Sequence, residues 1–296
     1  MKEKDSVWRR LSKLTERVMN ALFFLCGMTA IVFVLLITLY LAAAGIPAIR
    51  EIGLIDFLFG PEWKSTAAAP SFGILPLILT SVYGTAGAVL LGVPAGVLCA
   101  VYLAKFAHRR AARFLRSLVD LLAGVPSVVY GLLGIIVLVP FIADVFRLAS
   151  GASLLCAMLV LTVMILPSII SISETALRAV PQEYEEASLA LGATYPETVF
   201  KVTLPAAKSG VAAGIVLGVG RAIGEAMAVM MVAGNIPNMP GLFKSVSFLT
   251  TVIAQEMSYS GGLQRQALFS IALVLFVFIM AINFLLHAVL KKGEKR

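Results

Sequence analysis

Charged residues are scarce in this sequence, and histidine and cysteine are scarcer. Only 14% of the 296 residues are charged, where ordinary soluble chains carry about 25%. The two histidines, His108 and His287, stand far apart, and no His-Glu-x-x-His run accompanies them. Cys26, Cys99 and Cys156 all fall within apolar runs, so they give neither a disulfide framework nor zinc-ligand spacing. The chain has no Gly-Lys-Ser/Thr phosphate loop, no Gly-x-Ser-x-Gly and no paired intramembrane aspartates. No cofactor or metal is expected, and an enzyme working within the membrane is not expected either. Asp120 lies near the end of an apolar run.

What the chain has is length of apolar sequence. It is 60% hydrophobic, with a mean hydropathy of +0.97. Several separate runs of about 20 residues cannot share one soluble core of this size, so lipid must surround them. The runs predict six spans, at about 20–42, 74–103, 119–141, 150–172, 209–232 and 267–289. The fold class is an all-α polytopic transmembrane bundle of six spans. No charge interrupts Val18 to Ile49, too long a stretch for the core of a cleaved signal, so the first span is expected to stay. That span should end near Gly45 and Pro47. Span two is longer than a bilayer needs, so either it tilts or the part around 70–80 is a separate surface helix.

The net charge of +8 comes from basic residues beside the apolar runs. With the N-terminus inside, segments 1–17, 105–116, 174–208 and 291–296 share one side. They hold six, five, three and four Lys/Arg, 18 of the 24. The opposite connectors hold Arg50, Lys64, Arg147, Lys244 and Arg265. By the positive-inside rule both termini are expected in the cytoplasm. The division is then 1–19 as a cytoplasmic segment, 20–290 as the membrane domain and 291–296 as a cytoplasmic tail. That charge placement fits membrane topology and not nucleic-acid binding.

Two stretches exceed what simple membrane crossing requires. The polar stretch 174–208 has a helix-forming run from Pro181 that Gly192 should end. Thr194-Tyr-Pro-Glu197 has capping-box spacing, which predicts a second short helix from Tyr195 to about Val202, with Pro205 separating it from span five. Such a helix–turn–helix elbow either joins two spans or serves as a docking knob for a cytoplasmic partner. In span five, Gly210, Gly214 and Gly218 repeat every four residues and line one face for helix packing, with or without a gating slide. The same span carries Arg221 and Glu225 about mid-bilayer. Their i,i+4 spacing allows an ion pair on one face, or a lining in which Arg221 meets an anion and Glu225 orients it or gates.

The run Glu186-Ala187-Ser188-x-x-x-Gly192, followed by Val202-x-Leu204-Pro205, resembles the Glu-Ala-Ala loop of ABC-transporter permeases. Ser188 replaces the usual second alanine. That resemblance implies the MetI-like importer-permease fold, with Glu186, Ala187, Gly192, Leu204 and Pro205 coupling the chain to an ATPase. The run Gly220-Arg221-Ala-Ile-Gly-Glu225-Ala226-Met-Ala-Val resembles the phosphate-importer (PstC-type) permeases. So do Asp56–Trp63, Phe72–Pro76 and Leu122–Gly131. Ala226 stands where that family often has Thr. The resemblance implies transport of inorganic phosphate along Arg221 and Glu225. The partners it implies are a homologous, PstA-like second permease, two ATP-binding ATPase subunits and an external phosphate-binding protein. A permease for another oxyanion, such as molybdate or sulfate, and a stand-alone secondary anion carrier are the alternatives.

Overall fold

The computed structural model describes the backbone of residues 2–294 and the side chains of residues 15–284. The basic side chains before residue 15 and after residue 284, which weigh in the topology, lie outside this range, as does the end of the expected tail. Apart from one antiparallel hairpin of two short strands, the described elements are helices. Five helical segments are long and apolar enough to cross a membrane: Thr15–Ile52, Leu75–Phe106, Ser127–Phe146, Leu154–Arg178 and Gly262–Phe284. A bent pair, Tyr195–Ala206 and Lys208–Gly224 at 71°, makes a sixth where its two pieces are counted as one span. The chain is a multi-pass helical membrane protein.

Helix α1 (Lys2–Ile52) is one continuous element and does not stop near Gly45 and Pro47 as expected. A proline removes only one helical hydrogen bond, and the neighbouring helix holds α1 together there. The Ser270 hydroxyl donates to the Gly45 carbonyl at 2.6 Å. A Cβ on Gly45 would come within 2.9 Å of the Ser270 amide nitrogen, so glycine is what allows the contact. The short α2 (Leu54–Phe59) and the hairpin of β1 (Trp63–Lys64) and β2 (Ser71–Phe72) follow, with Trp63 opposite Phe72.

Helix α3 (Leu75–Val101) runs without a break through the 75–80 region, so no separate surface helix exists there. It ends in a π turn, Tyr102–Phe106. Helix α4 (Arg109–Gly124) takes up residues expected both in a connector and in span three. Span three starts late, at α5 (Ser127–Leu133), and continues through a π turn into α6 (Val139–Phe146). The cause is Pro126, which excludes helical backbone at Val125 (φ −71°, ψ 128°).

Helix α7 (Leu154–Arg178) is the centre of the bundle, and two rows of small residues clasp it. From α3 come Gly84, Ala88, Gly92, Gly96 and Ala100, all buried and four residues apart. From α11 (Lys208–Gly224) come Gly210, Gly214 and Gly218. Ile169 of α7 lies between the rows. Its side chain would sit 2.8 Å from a Cβ on Gly96 and 2.9 Å from one on Gly218. Lipid gives apolar surface no reason to hide, so helices associate by close backbone approach, which these glycines permit. The row on α11 packs against α7, a partner that the sequence does not name, and nothing in the sequence reading singles out the longer row on α3.

Helix α7 also runs six residues past the expected end of span four. Glu174 is buried within it, yet the helix is not interrupted, because Arg116 of α4 and Arg178 both bond its carboxylate. The bond to Glu174 in turn raises the Arg116 pKa above its usual value.

Candidate functional site

Span five holds the largest departure from expectation. Helix α11 ends at Gly224, Glu225 is extended (φ −72°, ψ 128°), and a separate six-residue helix, α12 (Met227–Val232), follows. The residues expected as one helix over 209–232 are therefore a broken helix. Two contacts fix the break. The Thr250 hydroxyl, from α13 (Leu249–Glu256), donates to the Glu225 carbonyl at 2.8 Å. The Ala228 amide donates to the Glu225 carboxylate at 3.1 Å.

The expected pairing of Arg221 with Glu225 on one helix face is thus not formed. Residues i and i+4 are neighbours only while the helix continues, and here it stops between them. Among the described residues Arg221 makes no hydrogen bond or ion pair. It is half-buried in the last turn of α11, where the helix dipole favours a cation. At 1.5 Å per residue it lies about 20 Å along α11 from Lys208. The break thus presents a half-buried guanidinium beside irregular backbone at depth in the bundle.

Tyr130 of α5 lies within electrostatic reach of Arg221. Its hydroxyl donates to the Leu122 carbonyl at 2.7 Å, bridging the chain across the Pro126 break. Helix α12 is seated against α5 through Gly131, where a Cβ would meet the Ala228 Cα at 2.9 Å. The Leu122–Gly131 motif in the sequence thus folds onto the Arg221–Ala228 region. Tyr130 and Thr250 were not among the expected site residues. The first sits in a recognisable motif; nothing in the sequence marks the second.

At the other end of α3 from the hairpin, the elbow forms with α8 (Gln182–Ala190), which starts one residue after Pro181. Gly192 adopts φ +90°, a left-handed conformation that ends the helix as expected. The Thr194–Glu197 capping box is present at the start of α9 (Tyr195–Thr198), with the Thr194 amide 3.1 Å from the Glu197 carboxylate. Beyond α9 the chain winds through a π turn to α10 (Leu204–Ala206). The bend to α11 falls after Pro205 and Ala206, and not at Pro205 itself. Ser188, where the resembling loop has alanine, shares a 2.9 Å hydrogen bond with Thr198 and ties α8 to α9.

Glu186, Ala187, Gly192 and Pro205 are exposed, and Glu186 accepts from the Gln182 side-chain amide at 2.8 Å. Leu204 is half-buried against the cluster of Ala100, Val101, Leu177 and Val199, anchoring the elbow to the bundle. Leu191, beside Gly192 at the turn, is 89% exposed. An apolar side chain this bare at the tip of a polar elbow is covered by none of the described residues. On the opposite side, Glu256 accepts hydrogen bonds from Trp63 (2.9 Å), Ser65 (2.7 Å) and Gln264 (3.0 Å), which draws the hairpin region onto the bundle. An open cleft of about 650 Å³ lies beside it.

Comparison with known proteins agrees with this architecture. Residues 92–296 match the family described as "Binding-protein-dependent transport system inner membrane component". The chain is 38% identical over 271 residues to the "Probable ABC transporter permease protein YqgH" of Bacillus subtilis, spanning 88% of this chain and 87% of that one. It is 33% identical over 295 residues to the "Phosphate transport system permease protein PstC 2" of Mycobacterium bovis, spanning 93% and 91%. The fold matches that of the inward-facing MetNI methionine ABC transporter with a TM-score of 0.56. That match covers 75% of this chain and 94% of the other, at 21% identity. The chain belongs to the binding-protein-dependent inner membrane component family, and is an ABC-transporter permease with the MetI-like fold.

Proposed function

We propose that this chain forms the translocation path of an importer of inorganic phosphate, together with a homologous second permease. Two ATPase subunits would drive it from the cytoplasmic side, and an external phosphate-binding protein would deliver the ion. The observation that carries the substrate reading is Arg221. A guanidinium left without a carboxylate partner inside a bundle is costly, and it offers a rigid fork of donors matched to a tetrahedral oxyanion. The matched relatives that carry the name "Phosphate transport system permease protein PstC" support phosphate among the oxyanions.

In this reading Glu225 does not neutralise Arg221. By capping the Ala228 amide it holds the helix break, so the guanidinium faces the path and not a helical neighbour. Half-helices that meet at depth are a recurrent way to build an ion site in transporters. The elbow docks the ATPase, with the bare Leu191 and the exposed Glu186, Ala187, Gly192 and Pro205 as the contact, while Leu204 fixes the elbow to the bundle. ATP is hydrolysed by the partner ATPase subunits, and this chain converts that work into opening and closing of the path. The glycine row on α11 lets the helix shift against α7 during that motion. Both termini and the elbow lie in the cytoplasm, and the hairpin with its cleft faces outward toward the binding protein.

The experiment is uptake of labelled phosphate by the purified complex in vesicles, with sulfate and molybdate as competitors. ATP-dependent uptake blocked only by excess phosphate agrees with the reading. Uptake blocked equally by sulfate or molybdate reassigns the substrate, and uptake without the ATPase subunits makes the chain a secondary carrier.

A further inference from the structure

The cytoplasmic end of α3 is held by both helices of the elbow through two adjacent residues. The Lys105 ammonium pairs with the Glu185 carboxylate of α8, and the two side chains are only 12% and 13% exposed. Glu185 also accepts from the Thr203 hydroxyl at 3.0 Å. The Tyr195 hydroxyl, at the start of α9, donates to the Lys105 carbonyl at 2.9 Å. The Tyr195 ring meets the Phe106 ring edge-on, with centroids 5.6 Å apart. On the α7 side, Arg178 donates to the Leu103 carbonyl at 2.8 Å.

The backbone explains why these contacts gather here. A helix leaves its last carbonyls without intrahelical partners, and the π turn over Tyr102–Phe106 ends α3. Side chains from α7 and from the elbow take two of those carbonyls. The link is therefore built into the end of α3, with a shielded ion pair alongside it. Removing one member of such a pair leaves a partly buried charge uncompensated, which costs far more than the pair contributes when intact.

We propose that Lys105, Glu185 and Tyr195 form a strut that carries motion of the elbow directly to span two. This deepens the ATPase-coupling reading above and rests on it. Movement of the elbow then has two routes into the bundle: along the chain into α11, and across the strut into α3. Because α3 and α11 clasp α7 from two sides, driving both together shears the two small-residue rows against α7. Lys105 and Glu185 are positioning residues here, since neither belongs to the anion path nor to the exposed ATPase contact.

The test uses the intact complex carrying Tyr83→Cys in a background without Cys26, Cys99 and Cys156; Tyr83 lies on the half of α3 away from the elbow and is 49% exposed. Its labelling rate is compared with and without ATP plus vanadate. The strut predicts an ATP-dependent change in the otherwise unaltered complex. Lys105→Glu and Glu185→Lys should each lose that change while the ATPase subunits still co-purify. The double exchange Lys105→Glu/Glu185→Lys should restore it, as expected for directly coupled charges. Tyr195→Phe, which removes one hydroxyl and leaves the ring, should reduce it. The proposal is overturned if Tyr83 labelling ignores ATP in the parent complex, if the single exchanges keep the response, or if the double exchange fails to recover it. A complex that passes this test yet imports no phosphate would remove the substrate reading and leave the strut standing.

Discussion

The Glu225 carboxylate accepts a 3.1 Å hydrogen bond from the Ala228 amide in the first turn of α12, while Arg221, one turn back, has no carboxylate partner among the described residues. The distinction decides what the pair does. A helical ion pair would be internally neutral, whereas the break leaves the carboxylate on a backbone amide and the guanidinium apart from it.

Capping predicts different fates for two Glu225 variants. Glu225→Ala removes the acceptor and should destabilise the protein by about 1 kcal/mol. Glu225→Gln keeps an oxygen in the same place and should lose little. Thermal unfolding in detergent reads both; equal losses would mean that the charge, and not the cap, matters.

Gly192 is needed for its backbone alone. Its φ is +90°, and a Cβ there would meet nothing within 4 Å. Gly192→Val should therefore strain the turn by about 1–2 kcal/mol and displace Leu191. Co-purification of the ATPase, or its coupled hydrolysis, should fall. Gly192→Asn should be milder, because Asn tolerates the left-handed region. Unchanged coupling in the valine variant would remove the elbow from ATPase docking.

The glycine row on α11 makes a contrasting prediction about packing. A Cβ on Gly218 would come within 2.9 Å of Ile169, so Gly218→Leu should cost roughly 1–3 kcal/mol by overpacking. Gly220 faces open space, and Gly220→Ala should be neutral or gain up to about 1 kcal/mol of helix propensity. Unfolding midpoints of the two variants test this, and equal destabilisation would contradict the assigned face.

Orientation is tested by cysteine labelling from either side of the membrane. In a background without Cys26, Cys99 and Cys156, Leu191→Cys should react only with reagent on the cytoplasmic side. Glu62→Cys should react only from outside. The reverse pattern would invert the topology.

Much of the fold is readable in the sequence because lipid imposes simple rules. Apolar runs of sufficient length mark the spans, and the Thr194–Glu197 spacing with Gly192 marks the elbow to within a residue or two. Boundaries fail where a local contact overrides composition. Glu174 reads as the end of a span, yet two arginines neutralise it and α7 continues. Gly45 and Pro47 read as a stop, yet Ser270 packs against α1 and the helix runs on. The Arg221–Glu225 pair fails for a related reason: periodicity assumes an unbroken helix, and the Thr250 hydroxyl that holds the break comes from 25 residues further along the chain. Tyr130 is hidden likewise, since only the packing of Gly131 against Ala228 brings α5 to Arg221.

The most direct test is phosphate uptake by the reconstituted complex carrying Arg221→Ala. Charged hydrogen bonds contribute about 1.5–3 kcal/mol each, so losing one should slow uptake by roughly 10- to 150-fold. The complex should still assemble with its ATPase subunits, and Arg221→Lys should recover part of the rate. Uptake at the parent rate without this arginine would contradict an anion path built around it, and loss of assembly would make Arg221 a structural residue.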